Sequence, residues 1–423
     1  MARRRKKERA AGDRVIITGP TWADSSESGI RGMRRASRNT LVLGIVFVVV
    51  LLLMFLAPLA IFEGSVYKVS SITQIYEMML NNLDGLVGVF TGNPYKFETR
   101  FMEVVCGAVS GAALGLCGST YQGAFNNPLA APKTLGVMAG GALGALIWVV
   151  FGPNIGLEEP LLPSAGPITA SQFADFESYL SQNDPVGWII NNYGQALCSV
   201  VGCFVVVGLV LLVVSIAGHG RLGNVIVIVV GSVVAAAVTG LINFARYYFT
   251  TSGGDAMIEE LRAIENYVTL DEFAYTDLLV VVLPIMICII IVLLLRNRLT
   301  LLSFGDEEAH SMGVNVNRTR YIMIAICTFM TAWSISFCGH VAFLGFISAH
   351  ISRKVVGPDF RYLLPASCFT GGLLMILIDW LSQSGLPYTY PEASGAMCSI
   401  IGACIFIVLA FREGRRALSR GGE

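Results

Sequence analysis

The sequence is short of charged residues. Only 14% of its 423 residues are Asp, Glu, Lys or Arg, whereas about a quarter is usual in soluble domains. Hydrophobic residues make up 54% of the chain, the mean hydropathy is +0.67, and the formal net charge is zero. This composition argues against a soluble enzyme, a disordered protein and a nucleic-acid-binding protein, and it indicates a membrane protein.

Motifs for ATP hydrolysis, acyl transfer and zinc binding are also missing. There is no G-x-x-x-x-G-K-[ST] phosphate loop, so we expect that the chain does not hydrolyse ATP itself. There is no G-x-S-x-G nucleophile elbow and no H-E-x-x-H helix. The four histidines are far apart, and no two of the ten cysteines have CxxC spacing. We therefore predict no metal site, no bound cofactor and no disulfide framework, with the cysteines serving as small packing residues.

Long uncharged runs predict an all-α, polytopic membrane protein. The run at 40–61 extends for 22 residues without a charge, and about 20 apolar residues are enough to cross a bilayer. Nine further apolar runs lie at 101–121, 134–152, 194–216, 223–245, 278–295, 321–338, 340–351, 363–382 and 394–411. The run at 340–351 is short for a span and predicts a partial or broken helix. We thus expect about ten helices in one transmembrane domain at 40–412, between tails at 1–39 and 413–423.

The distribution of Lys and Arg predicts the orientation of these spans. Residues 1–39 hold eleven Lys/Arg against four acids, and the inferred cytoplasmic segments hold 24 of the 29 Lys/Arg. By the positive-inside rule, both termini lie in the cytoplasm of a cytoplasmic-membrane protein. Binding of nucleic acid is the weaker interpretation of a basic tail that adjoins a span.

Glycines and buried acids give further signals within the spans. Gly- and Ala-rich runs let helix backbones approach closely, and two runs carry glycine at helical spacing, at 107, 111, 115 and 118 and at 136, 140 and 144. Acids within apolar runs are few, namely Glu103 and Asp379. A proton-coupled carrier normally needs more such groups, so helix pairing or capping is the favoured role of Asp379.

Three stretches carry a family resemblance. The first combines G-A-A-L from 111, Gly118, Gln122, N-P-L-A-x-P from 127, L-G-V from 135 and G-G-A from 140. The second is L-S-F-G-D-E-E-A from 302, followed by M-G-V-N-V from 312, and the third is G-H-V-A-F-L-G-F-I from 339 with its continuation to Asp379. Together they resemble the FecCD family, which are permeases of ABC importers for iron-siderophores, haem and cobalamin.

The resemblance implies a function and a set of partners. It implies the type II ABC importer architecture and a permease subunit that moves an iron-siderophore or a related metal chelate. Expected partners are cytoplasmic ATP-binding subunits that consume the ATP, an extracytoplasmic substrate-binding (lipo)protein, and a second copy of this permease or a homologous one. The alternative is an ion- or proton-coupled secondary transporter.

The polar segment 296–320 is the predicted coupling site. The acids at 306–308 precede Arg318 and Arg320 in this segment, an order that favours short helices through the helix dipole. The resemblance implies that such helices contact the ATPase. The residues expected to couple are Gly305, Asp306, Glu307, Ala309, Met312 and Gly313.

Two further sets of residues are candidates for the pathway and for docking of the binding protein. The sparse polar groups expected along the translocation pathway are Ser110, Ser119, Thr120, Gln122, Asn127 and Pro128. The turn at 126–129 is equally consistent with a gate and with a tight connection between two spans. The residues expected at the outer docking face are Arg100, Glu103, Arg246 and Arg262. Because Glu103 stands where the family usually has a second arginine, we expect a cognate binding protein that is less acidic than is usual or carries a basic lobe edge.

Overall fold

All regular structure in the described part of the chain is helical. The computed structural model describes residues 22–56, 95–151, 185–217, 224–252, 275–339, 341–384, 399–400 and 402–404. The helices are α1 (Trp22–Leu56), α2 (Tyr95–Ala124), α3 (Val137–Phe151), α4 (Pro185–Ala217), α5 (Asn224–Ser252), α6 (Tyr275–Leu294), α7 (Arg296–Leu302), α8 (Asp306–Ser311), α9 (Val316–Cys338), α10 (Leu344–Val356) and α11 (Phe360–Ser384). A 3₁₀ turn at Pro132–Leu135 precedes α3. The predicted all-α fold is confirmed.

Several helices are long and apolar enough to cross a membrane. Among the described residues there are five: Val104–Ala124, Tyr193–Ile216, Ile226–Ala245, Val316–Cys338 and Phe360–Ile378. A sixth is formed if α6 and α7, which meet at a 53° bend, are taken together, and α3 is a shorter apolar helix. The count of ten stays a prediction, because the runs at 40–61 and 394–411 extend beyond the described residues.

The helix α2 forms the centre of the bundle. Of its apolar span, 89% is buried, and it packs against α9, α10 and α11. Its glycines make this possible, because a methyl group on Gly115 would lie 2.9 Å from the Cα atom of Gly371 in α11. A methyl group on Gly118 would overlap the carbonyl of Gly345 in α10. The predicted glycine spacing is therefore a packing seam.

A second glycine seam joins α3 to α4. A methyl group on Gly140 would lie 2.6 Å from the carbonyl oxygen of Gly202, and one on Gly202 would lie 2.9 Å from the amide nitrogen of Gly144. The helix α5 is packed against the rest of the bundle over a smaller area, and only 17% of its span Ile226–Ala245 is buried.

The chain breaks between α9 and α10 inside the bundle. The last residue of α9, Cys338, donates through Sγ to Ser110 Oγ at 3.0 Å, beside the middle of α2. The chain then turns through Gly339, which has φ 72°, and α10 begins at Leu344 next to Gly118. Irregular backbone at this depth is tolerated where protein surrounds it. The prediction of a short helix is correct, but the helix is shifted from 340–351 to Leu344–Val356.

Cysteines act as packing residues in the described bundle. Cys106, Cys117, Cys203 and Cys327 are buried and free of disulfides. The thiol of Cys117 points at the carbonyl oxygen of Cys327, 3.5 Å away. No group of three or more potential metal ligands occurs among the residues that the structure describes.

Candidate functional site

The predicted coupling segment folds into the two short helices α7 and α8. Gly305 joins them with φ 117°, a backbone conformation that side chains other than glycine rarely adopt. The first turn of α8 carries Asp306, Glu307 and Glu308, and His310 lies in its last turn, which is the favourable polarity for a helix dipole.

Apolar side chains anchor these short helices on the bundle. Leu299 and Leu302 of α7 and Ala309 of α8 are each no more than 1% exposed. A seven-residue and a six-residue helix would be unstable alone in water. The packing of these three residues therefore fixes the position of the segment.

A buried arginine ties α8 to the centre of the bundle. Arg320 of α9 is 2% exposed, and its Nη2 donates to Asp306 Oδ1 at 2.8 Å. Its Nη1 donates to the second carboxylate oxygen at 3.4 Å, and its Nε donates to the carbonyl oxygen of Ala124 at 2.7 Å. Ala124 is the last residue of α2, where helix carbonyls lack intrahelical partners. One guanidinium group thus connects α8, α9 and the end of α2.

The remaining predicted coupling residues are exposed on the surface of the protein. Glu307 and Gly313 are exposed, Gly313 has φ 83° with open space around it, and Met312 is 47% exposed. Phe304, between α7 and α8, is 62% exposed. Sequence reasoning missed Phe304 and treated Arg320 only as a terminal base. An aromatic residue directly before the glycine of the turn was the available signal.

The four polar residues predicted along the pathway lie on α2 and are buried. Ser110, Ser119, Thr120 and Gln122 are each no more than 2% exposed. Thr120 donates to the carbonyl of Leu116 at 2.8 Å. These residues therefore sit in helix contacts in this conformation, and their role in the pathway stays a prediction.

Gln122 joins α2 to the short helix α10. Its Oε1 accepts a hydrogen bond from Arg353 Nη2 at 2.9 Å. Its buried Nε2 has no hydrogen-bond partner, and such a buried donor costs about 1–3 kcal/mol. In this conformation, the contact between α2 and α10 thus leaves the buried amide group of Gln122 with a hydrogen-bond donor that has no acceptor.

The connection from α2 to α3 begins with the predicted turn. Asn126 adopts φ 46°, which Asn tolerates better than most residues. Asn127 Oδ1 accepts a hydrogen bond from the amide of Leu129 at 2.9 Å, and Pro128 follows within the turn.

This connection then folds back along the bundle. A cavity of about 60 Å³ is walled by Pro132, Lys133 and Phe343 and also by Leu114. Leu114 lies about 15 Å along the axis from the end of α2, given the rise of a helix. The ammonium group of Lys133 lies 4.4 Å from the centroid of the Phe343 ring, a cation–π distance. The turn at 126–129 is itself tight, since the amides of Asn126 and Asn127 donate to the carbonyl oxygens of Gly123 and Gln122, and a gating role stays a prediction.

Three of the four predicted docking residues lie on helices α2 and α5. Arg100 and Glu103 lie in the first turns of α2, and Arg246 lies towards the end of α5. Their side chains are outside the described part, as is the whole of Arg262. The docking role stays a prediction.

The bundle of apolar helices is that of a multi-pass membrane protein, and the two short helices α7 and α8 are anchored on it. Residues 50–412 match the FecCD transport family. The chain belongs to the FecCD transport family, and it is a permease subunit of an ABC importer.

Individual relatives are distant but cover most of the chain. The cobalamin import permease of Halobacterium salinarum is 27% identical over 75% of this chain and 74% of its own length. The Fe(3+)-citrate import permease of Bacillus subtilis is 26% identical over 79% of this chain and 88% of its own length.

A solved structure shares the fold. It is an inward-facing conformation of a transporter assigned to the metal-chelate type of ABC transporters. Its TM-score is 0.61 at 22% sequence identity, and the match covers 89% of this chain and 99% of the other.

Proposed function

We propose that this permease imports a metal chelate, such as an iron-siderophore, haem or cobalamin. The observation that supports ATP-driven transport is the candidate coupling segment, in which Arg320 links the solvent-exposed helix α8 to the end of α2. Through this link, the movement of an ATPase bound to α8 would be transmitted to α2. The relatives that carry cobalamin and ferric citrate support a chelate as the cargo.

We propose three kinds of partner. The exposed residues Phe304, Glu307 and Met312 would contact an ATP-binding subunit, which consumes the ATP, so that this chain needs no cofactor. The outer ends of α2 and α5, with Arg100, Glu103, Arg246 and the segment that contains Arg262, would receive a substrate-binding protein.

The third proposed partner is a second permease on α5. This helix is mostly exposed, and Gly240 has open space around it. Small residues allow the close approach of another helix in a membrane.

Transport by the assembled importer tests the proposal. The permease, its ATPase and its binding protein are reconstituted in proteoliposomes with labelled ferric siderophores, haem or cobalamin. We expect ATP to raise uptake of one chelate at least tenfold, with no effect of a protonophore. Uptake driven by a pH gradient without ATP would instead establish a secondary transporter.

Thiol labelling tests the proposed orientation. Cys404, which is exposed, and Cys398, which lies outside the described residues, are replaced with serine, whereas the other cysteines are kept because they are buried or half-buried in the bundle. We expect Asn317→Cys, at an exposed site after the coupling helices, to react only after the cells are permeabilised. Glu158→Cys should react in intact cells, and the opposite pattern would invert the topology.

A further inference from the structure

A large groove lies between α1 and α11. Its volume is about 1270 Å³, beyond the roughly 300–1,000 Å³ of pockets for drug-sized ligands. Arginines line one end of the groove, and mainly apolar side chains line the rest.

Four arginines gather at one end of this groove. Arg34 and Arg38 are one turn apart on α1, Arg296 begins α7, and Arg361 lies in the first turn of α11. Among the described residues, no acid lines the groove and none of the four guanidinium groups pairs with a carboxylate, although the backbone amide of Arg361 donates to Asp359 Oδ1 at 2.9 Å. Like charges one helical turn apart destabilise a helix. An anion at this end of the groove would offset their repulsion.

The rest of the groove is apolar. On α1, Leu41, Ile45 and Val48 continue the face that begins with the arginines, and Phe369 of α11 lies opposite. From Arg38 to Val49 the helix rises about 16 Å, close to half of the roughly 30 Å hydrocarbon core. A soluble protein cannot follow the groove to this depth.

The shape of the groove is fixed by contacts on the other face of α1. Asn39 Nδ2 donates to the carbonyl oxygen of Val355 at 2.7 Å, and Ala36 is buried. Phe47 meets Phe369 with ring centroids 5.8 Å apart. The groove is therefore an opening beside a packed contact between two helices.

We propose that this groove binds one anionic phospholipid from the cytoplasmic leaflet. The phosphate lies among Arg34, Arg38, Arg296 and Arg361, with Tyr362 beside them, and an acyl chain lies along Leu41, Ile45 and Val48. Arginine clusters at the cytoplasmic side of membrane helices suit anionic headgroups. The proposal rests on the proposed orientation but not on the identity of the transported chelate.

Lipid titration of the full-length permease tests the site. Native mass spectrometry measures binding of dioleoyl phosphatidylglycerol, with dioleoyl phosphatidylcholine and soluble glycerol phosphate as comparisons. We expect phosphatidylglycerol to bind at least tenfold more tightly than either. Arg38→Gln and Arg361→Gln should each weaken its binding about fivefold, whereas Arg35→Gln, an exposed arginine on the same turn that does not line the groove, should leave it unchanged.

A second pair of variants tests the apolar part. Ile45→Trp fills the groove and should weaken binding of phosphatidylglycerol, whereas Val46→Trp, at a similarly exposed position outside the groove, should not.

Three outcomes would overturn the proposal: equal binding of both lipids, equal losses in Arg35→Gln and Arg38→Gln, or tight binding of glycerol phosphate. So would arginine variants that keep the lipid and lose the ATPase subunit, because the cluster would then be a protein contact. A failure of chelate uptake with selective lipid binding intact would reject the proposed cargo and leave this site standing.

Discussion

Replacing Arg320 with lysine will reduce ATP-driven uptake at least tenfold while the permease still reaches the membrane. The guanidinium group donates three hydrogen bonds, two to the carboxylate oxygens of Asp306 and one to the carbonyl oxygen of Ala124. Lysine keeps the charge but lacks the planar fork that makes paired contacts. The loss of hydrogen bonds that involve a charged group costs about 1.5–3 kcal/mol each. We therefore expect α8 to lose its fixed position relative to α2.

The matched control for this variant is Arg318→Lys. Arg318 lies on the same helix, and its side chain is exposed. We expect normal uptake and normal stimulation of the ATPase by the substrate-loaded binding protein in this control. The Asp306→Ala variant should resemble Arg320→Lys, because it leaves the buried guanidinium without its carboxylate. Full uptake by Arg320→Lys, at normal abundance, would show that this contact does not transmit the ATPase movement.

Replacing Gly118 with alanine will prevent assembly of a stable permease. The added methyl group would meet the backbone of Gly345 in the adjacent helix α10. Overpacking usually costs about 1–3 kcal/mol where side chains can shift, but here a Cβ atom that cannot rotate away meets the backbone atoms of Gly345. The helices α2 and α10 would have to separate, and α2 is the centre of the bundle. We expect a fall in the melting temperature of the detergent-solubilised protein by more than 10 °C, or the absence of folded protein.

The same helix provides the control for this glycine. A methyl group on Gly107 would meet only the Met375 side chain, at 4.0 Å, which is ordinary van der Waals contact. Alanine also favours the helix by about 1 kcal/mol relative to glycine. We thus expect Gly107→Ala to match the wild-type melting temperature or exceed it. A Gly118→Ala protein as stable as Gly107→Ala would mean that the seam can open at little cost.

Hydrophobic runs located most helices of the bundle but not their ends. The first helix begins at Trp22, well before the uncharged run at 40–61. Hydropathy reports which residues enter the membrane, whereas a helix continues wherever its backbone hydrogen bonds are made. The residues before Thr40 include Arg34 and Arg38, and arginine is a good helix former. The arginine-lined groove exists only because the helix continues through this region.

Hydropathy also could not separate buried faces from lipid-facing ones. A span is apolar on both faces, so periodicity does not show which side meets protein. Ser119 and Thr120 thus appeared to be candidates for a channel wall, whereas their hydroxyls bond to carbonyls of their own helix. The glycine spacing on α2 was the exception, because only close backbone contact explains it.

The sequence alone determined the membrane class, the helical fold and the family, and it predicted a coupling segment at 296–320, since run lengths and short motifs are local properties of the chain. Tertiary structure alone decided that Arg320 contacts Ala124, 196 residues away, that the chain breaks beside Gly118, and that four arginines share one groove. These contacts depend on how helices cross and how deeply each is buried. Residues far apart in the chain meet there through close packing, and no local pattern records it.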